Sequence, residues 1–330
     1  MPFSDIIGHA PAVDLLRRAV ARSRVPQSLL FAGPEGVGKR TAAIALAQAV
    51  NCPRPQDGDA CGVCSTCVRI ARGQHSDVTA LDTAGEASIK IKALRARLLD
   101  TVHYRPFEGR RRVYVIDPAD ALTAEAQDAL LKTLEEPPPA AILILVTAVP
   151  DTLRPTIQSR CRRVRFGPLS AADVQQVLVT RAGVDRAAAR SLAAVSGGSV
   201  SRALAAERGL FEPDRDAAVA LLRAARADVA ARLKSAEAFA RHPASRRARE
   251  AVGARLALVQ SLLRDLGAMG AGSAAPLAHA DLEDTLRSLL PAYDVDRAAA
   301  AYATVTRALA HVLDHNASPK LVADWTAMTI

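Results

Sequence analysis

Ser28-Leu29-Leu30-Phe31-Ala32 runs directly into Gly33-Pro34-Glu35-Gly36-Val37-Gly38-Lys39, and an alanine-rich stretch from Thr41 to Val50 follows. A short apolar run that ends at a glycine suits a buried strand, and the alanine-rich stretch suits a helix. The glycines at 33, 36 and 38 let backbone N–H groups converge at the helix N-terminus, where they and the helix dipole stabilise an anion. Strand, glycine loop and helix together make a phosphate cradle, with Lys39 as its point charge. The plainer alternative is an ordinary strand-to-helix turn.

The position after that lysine normally carries a Ser or Thr whose hydroxyl coordinates magnesium, and here it is Arg40. Thr41 follows, but one residue along a helix is a rotation of about 100°, which directs its hydroxyl elsewhere. The loop is therefore expected to lack a magnesium ligand. Lys39 and the glycines argue for bound ATP or ADP, whereas Arg40 can fill the same space, so both states fit the sequence.

Further out, Arg112 to Ile116 and Ala141 to Thr147 are continuous apolar runs with β-branched residues, as buried strands are. Between them Ala124 to Leu134 has apolar positions at helical spacing, stopped by Pro137-Pro138-Pro139. Strands alternating with helices predict a parallel sheet covered on both faces. Asp117 follows the Arg112 to Ile116 strand, where a carboxylate would hold magnesium through water. Its neighbour should be a second acid that orients the attacking water, and it is Pro118. Arg40 and Pro118 thus fall on the two residues hydrolysis needs most, while the cradle remains. The expectation is a chain that can hold nucleotide without turning it over.

After Phe166-Gly167-Pro168 the strand signal stops. Ser170 and Asp173 have the spacing of a helix-starting capping box, and alanine, leucine and arginine at helical periodicity dominate the rest. Breaks at Gly197-Gly198-Ser199 and near Phe211-Glu212-Pro213 divide the chain into an α/β domain (1–167), a small helical lid (168–207) and a helical C-terminal domain (208–330), with a loop expected from Gly267 to Pro276. No internal repeat is visible.

Cys52, Cys61, Cys64 and Cys67 crowd into 52–67, with two successive two-residue gaps. Four thiolates at this spacing can close a tetrahedron around zinc, and the ion replaces a core that so small a module cannot build. The triple-cysteine run also matches part of an iron–sulfur ligand pattern, and unliganded thiols are the plain alternative. A closed four-thiolate site leaves no open position, which points to a structural metal. Cys161 stands apart and reads as a small buried residue.

The chain has 330 residues, half of them apolar, and a formal charge of +9 from 43 basic and 34 acidic residues. That excess fits an acidic partner such as nucleotide or nucleic acid, and equally a solvated arginine-rich surface. Aromatic residues make up 3%, which leaves few platforms for stacked bases. Without a signal-peptide pattern or an apolar run of about 18 residues, a cytoplasmic location is expected.

Taken in order, the glycine loop, the four cysteines, Asp117, Asp128-Ala129-Leu130-Leu131-Lys132-Thr133-Leu134-Glu135-Glu136-Pro137-Pro138 and Ser159-Arg160-Cys161 resemble the clamp-loader branch of the AAA+ family. The resemblance covers about the first 207 residues well and the remainder weakly, where Asn316 to Trp325 is similar to the final helix of the family's collar domain. It implies an α/β AAA+ phosphate-loop domain with an inserted four-cysteine zinc module, a helical lid and an all-α collar. It further implies that Arg160 is an arginine finger reaching a neighbouring subunit's ATP site, that Thr147 takes the sensor 1 position although Ala148-Val149 departs from the usual polar pair, and that Arg202 resembles the sensor 2 arginine. Plain alternatives are a surface arginine for Arg160 and a solvated helix charge for Arg202.

Within the family, the gamma/tau ATPase type carries Lys-Thr in the loop and Asp-Glu on the strand. This chain lacks both, and Ser88-Ile89-Lys90-Ile91 and Tyr104-Arg105-Pro106-Phe107-Glu108-Gly109 resemble the delta-prime type. The implied partners are gamma/tau and delta subunits in a pentameric ring and, through it, the beta sliding clamp and primed DNA, as an accessory of DNA polymerase III in the cytoplasmic, nucleoid-associated replisome. Two rivals stand beside this: an active AAA+ ATPase, gamma/tau-like or a DNA-remodelling motor, and a free-standing nucleic-acid-binding zinc protein.

Overall fold

A computed structural model describes the chain except for residues 87, 208–211, 242–247, 274–276, 280–281 and 314–316. The chain divides into two compact units, Met1–Asp173 with Gly198–Ser201, and Val174–Gly197 with Arg202–Ile330.

The first unit is built on five parallel strands, β1 (Ser28–Ala32), β2 (Val78–Leu81), β3 (Arg112–Ile116), β4 (Ala141–Thr147) and β5 (Arg162–Arg165), in the order β2-β3-β4-β1-β5. The helices are α1 (Ala10–Ala21), α2 (Lys39–Asn51), α3 (Ser65–Ala71), α4 (Ile91–Leu94), α5 (Ala124–Glu135) and α6 (Pro155–Arg160). Alternation along each strand sends side chains to opposite faces. Leu29, Phe31, Val113, Val115, Ile142 and Ile144 pack with Leu16 of α1, Leu46 of α2 and Ile70 of α3. Leu30, Tyr114, Ile116, Leu143 and Leu145 pack with Leu94 of α4, Leu130 of α5 and Ile157 of α6. A sheet buried on both faces needs apolar residues at nearly every position, which is why β1, β3 and β4 stand out as continuous apolar runs.

The two edge strands carry no such signal. In β5 only Val164 is buried, with Arg162, Arg163 and Arg165 exposed around it, and β2 is buried only at its ends. Both were absent from the sequence-based expectation.

In the second unit the secondary structure of the described residues is helical: α7 (Ala171–Ala182) and α9 (Val200–Glu207), each of which begins in the first unit, α8 (Arg186–Val195), α10 (Glu212–Ala224), α11 (Val229–Ala240), α12 (Ala248–Gly270), α13 (Glu283–Leu289), α14 (Val295–Leu313) and α15 (Pro319–Thr329). Its core gathers Phe239, Leu262, Leu266, Leu286, Tyr293, Val305 and Val322, and the Tyr293 hydroxyl donates to the Leu222 carbonyl at 3.2 Å. The Ser170 box forms as expected: the Ser170 hydroxyl accepts from the Asp173 N–H at 3.1 Å and donates to its carboxylate at 2.7 Å. The loop expected from Gly267 starts later, because α12 continues to Gly270 with Leu262, Leu263 and Leu266 buried in the core. Tertiary burial of that face outweighs the weak helix preference of glycine. Phe211, Pro276 and Asn316, named above as breaks or segment ends, lie outside the described residues. Among the described residues no helix is long and apolar enough to cross a membrane.

Candidate functional site

Register brings the predicted loop residues to one edge of the sheet. Ala32 pairs with Thr147, the Gly33 N–H donates to the Thr147 carbonyl at 3.3 Å, and β3 ends beside β4 at Ile116, so that Gly33–Lys39, Asp117 and Thr147 share the carboxyl edge. Crevices at that edge are where open α/β sheets bind ligands. Two glycines are required by close approach: a Cβ on Gly33 would meet the Phe166 carbonyl oxygen at 1.9 Å, and one on Gly36, whose φ is +74°, would meet the Ser199 Oγ at 2.3 Å. Gly38 caps α2 in a left-handed conformation.

Lys39 is buried, and its Nζ donates to the Gly33 and Pro34 carbonyls at 2.6 Å each. Burial lowers its pKa, against the opposing pull of Asp117, Glu35 and Asp120. Arg40 turns toward β3, with its Nη1 3.5 Å from Asp117 Oδ2. Burial raises the Asp117 pKa, while Arg40 and Lys39 pull it back. The guanidinium thus partly neutralises that carboxylate. Asp117 is followed by a cis peptide to Pro118. Thr41 lies half-buried in the first turn of α2.

Thr147 is buried, donating to Asp120 Oδ1 at 2.6 Å and accepting from the Val149 N–H at 3.0 Å. Asp120 was missed in the sequence. It sits in a 3₁₀ turn, Ala119–Ala121, three residues past Asp117, and its acidity in an apolar stretch was the available signal. Arg202 belongs to the second unit, where its Nη1 reaches the Ser196 carbonyl at 3.4 Å.

The four cysteines converge. One sulfur from each of Cys52, Cys61, Cys64 and Cys67 lies within 4.8 Å of all the others. Tetrahedral zinc with bonds of about 2.3 Å needs sulfurs about 3.8 Å apart, so the cluster fits an ion of that size with small side-chain adjustments. Cys52 Sγ accepts from the Cys61 N–H and Cys64 Sγ from the Cys67 N–H, each at 3.4 Å. The N–H groups of Val63 and Cys64 bring the Cys61 pKa down to about 6, while burial pushes Cys67 up. The module is tied back to the unit by Asp59, which accepts from the Phe3 and Ser4 N–H groups at 2.7 and 2.8 Å, and by Gln48 Nε2, which donates to the Cys67 carbonyl at 2.6 Å.

Arg160 ends α6 and precedes β5, whose Arg162 pairs with Leu29 near the start of β1. It therefore lies at the amino edge, while the glycine loop leaves the carboxyl edge. From Leu29 to Gly33 the strand rise alone is roughly 13 Å, so this arginine and this loop work at opposite ends of the sheet. Cys161 is buried, and burial pushes its thiol up to about 12, consistent with a packing role.

A buried acid that the sequence did not announce braces the segment before β3. Asp77 accepts from the N–H groups of Phe107, Glu108 and Gly109 at 2.7, 2.9 and 2.7 Å, with Arg112 Nε at 3.4 Å. Outside it, Arg69 makes a two-pronged pair with Glu108 at 2.8 and 2.6 Å.

Residues 8–170 match the family model described as DNA polymerase III, delta subunit. The chain is 38% identical over 175 residues to DNA polymerase III subunit tau of Escherichia coli, covering 53% of this chain and 26% of that protein. It is 38% identical over 165 residues to the tau subunit of Bacillus subtilis, covering 50% and 29%. It thus spans about a quarter of the length of these relatives. Among solved structures, a DNA polymerase III gamma subunit-related protein of Thermotoga maritima aligns over 86% of this chain and 99% of its own, at 17% identity and a TM-score of 0.39. The sequence matches thus cover about half of the chain and are to proteins described as DNA polymerase III subunits.

Proposed function

We propose that the chain is a delta-prime-type clamp-loader subunit that supports ATP-dependent loading of a sliding clamp onto primed DNA without hydrolysing ATP itself. The observation that carries this reading is the Arg40–Asp117 pair. Hydrolysis in phosphate-loop proteins needs magnesium held by the loop hydroxyl and the strand aspartate, and an acid or amide to orient the water. Here an arginine takes the hydroxyl's place and engages the aspartate, and Pro118 follows. Magnesium is not expected to bind, while ATP or ADP can still displace the carbonyls from Lys39 and use the loop N–H groups.

In this reading Arg160 acts in trans. Its place at the amino edge takes it away from its own loop, and beside a neighbour's γ-phosphate it would neutralise the charge that builds in phosphoryl transfer. The four cysteines hold structural zinc. The lid (168–207) carries Arg202 as a phosphate sensor and Thr147 lies at the sensor 1 position. The 208–330 helices form the collar of a pentameric ring with gamma/tau and delta subunits. The beta clamp and primed DNA are engaged through that ring, in the cytoplasm.

The test is a loader reconstituted from this chain and its gamma/tau-type and delta-type partners. Arg160→Ala is expected to lower its ATPase by about a thousandfold at the site that Arg160 serves. An unchanged rate would remove the finger. A second reading has one observation in its favour: Asp120, bonded to Thr147 at 2.6 Å, is a carboxylate that an active ATPase could use in place of the missing acid. Magnesium-dependent ATP hydrolysis by the isolated chain, lost in Asp120→Asn, would establish that reading instead.

A further inference from the structure

We infer that Glu135 is a positioning residue for Arg160, and that one face of α5 is the rail that sets the pose of this arginine. The inference rests on the reading of Arg160 as a finger. Arg160 Nη2 donates to Glu135 Oε1 at 2.5 Å and its Nη1 donates to the Thr156 carbonyl at 2.9 Å. A guanidinium carries five N–H donors, so two are used to hold the group and three remain for a phosphate. Arginine loses several rotatable bonds of freedom when it docks, and a side chain already fixed at both terminal nitrogens has lost most of it before the neighbour arrives.

The same helix holds the other end of α6. Arg154 Nη2 pairs with Asp128 Oδ2 at 2.9 Å, and the Arg154 N–H donates to Gln127 Oε1 at 2.9 Å. Asp128 and Glu135 are seven residues apart, two turns of α5, and therefore lie on one face. Beneath these polar ties, Leu130 and Leu134 of α5 share a buried cluster with Leu153, Ile157 and Cys161. The short helix that ends in Arg160 is thus gripped at its first residues, along its apolar face and at its last side chain, all by α5.

The Glu135–Arg160 pair is half-exposed, with side chains 50% and 34% accessible. Exposed pairs add little to folding, so removing the carboxylate should leave the chain folded and change only where the guanidinium points. The aspartate and glutamate of Asp128-Ala129-Leu130-Leu131-Lys132-Thr133-Leu134-Glu135 thereby gain a job that the nucleotide loop does not need: both face the segment that serves another subunit.

The experiment compares Glu135→Ala, Glu135→Gln and Arg160→Ala in the reconstituted loader, measuring kcat and KM for ATP together with the melting temperature of each variant chain. Glu135→Ala should lower kcat about tenfold or more with KM changed less than about twofold, because orientation in the transition state is lost rather than ground-state binding. Glu135→Gln, whose amide oxygen still accepts from Nη2, should keep kcat within about threefold of the parent chain. The inference is overturned if Glu135→Ala leaves kcat unchanged while Arg160→Ala abolishes it, or if Glu135→Gln loses as much as Glu135→Ala. An unchanged kcat in Arg160→Ala overturns the finger reading itself.

Discussion

Replacing Asp77 with asparagine isolates what a single buried carboxylate does for the α/β unit. The side chain is fully buried, its Oδ1 serving the Phe107 N–H and Arg112, its Oδ2 the N–H groups of Glu108 and Gly109. Asparagine keeps one acceptor. With its oxygen at the Oδ2 position it still serves two N–H groups, but its NH₂ then faces the Phe107 N–H and the Arg112 guanidinium, donor against donor. Leaving one buried donor unsatisfied costs about 1–3 kcal/mol, and losing the charge from the remaining bonds adds on the order of 1 kcal/mol, for a sum of about 3 kcal/mol. At 2–4 °C per kcal/mol for a unit of this size, the melting temperature should fall by roughly 6–12 °C.

The loss has a pH signature. Burial alone would raise the Asp77 pKa, but the three N–H groups and Arg112 outweigh it and hold the pKa below the ordinary 3.8. A carboxyl with a lowered folded-state pKa stabilises the fold above its unfolded value and loses that stabilisation as pH falls through the folded value. Parent and variant should therefore differ fully at pH 7 and converge below about pH 4. Amide exchange on β2 and β3 would follow the α/β unit, while fluorescence of Trp325, the chain's single tryptophan, follows the other unit as a control. A melting shift under 2 °C at pH 7, or a difference that persists undiminished at pH 3, would refute the reasoning.

Other perturbations probe the remaining features. Cys67→Ser removes one of four converging sulfurs and should take bound zinc from about one ion per chain toward zero, with a cooperative loss of structure around 52–67, read by metal analysis and thermal melting. Lys39→Ala should weaken ATP binding by tenfold or more, about 1.4 kcal/mol, whereas EDTA should leave the parent chain's affinity unchanged because, in the proposed reading, the Arg40–Asp117 pair stands in for the metal; calorimetry measures both. Gly58 has φ +76°, and a Cβ there would stand 2.1 Å from the Arg17 carbonyl oxygen, so Gly58→Ala should cost about 1–3 kcal/mol in urea unfolding of the first unit.

The legibility of this molecule in its sequence follows burial. The strands β1, β3 and β4 are sandwiched between two helical layers, and uniform burial leaves a continuous apolar run that a reader can find. The edge strands β2 and β5 are hydrogen-bonded on one side only and β5 is three-quarters arginine, so composition hides them. Local chemistry of short range was equally visible: the glycine loop, the Ser170 capping box and the cysteine spacing each depend on neighbours within a few residues.

What the sequence by itself determined is therefore a strand, glycine loop and helix, the identities of Arg40 and Pro118 beside it, and four thiols able to meet. Only the tertiary structure decided that Arg40 reaches Asp117 from 77 residues away, that Thr147 is bonded to Asp120, and that Glu135 holds Arg160 at the edge opposite the loop. Those pairings arise from parallel register and from helix docking on a shared core. Both are sums over long-range contacts that no local pattern encodes.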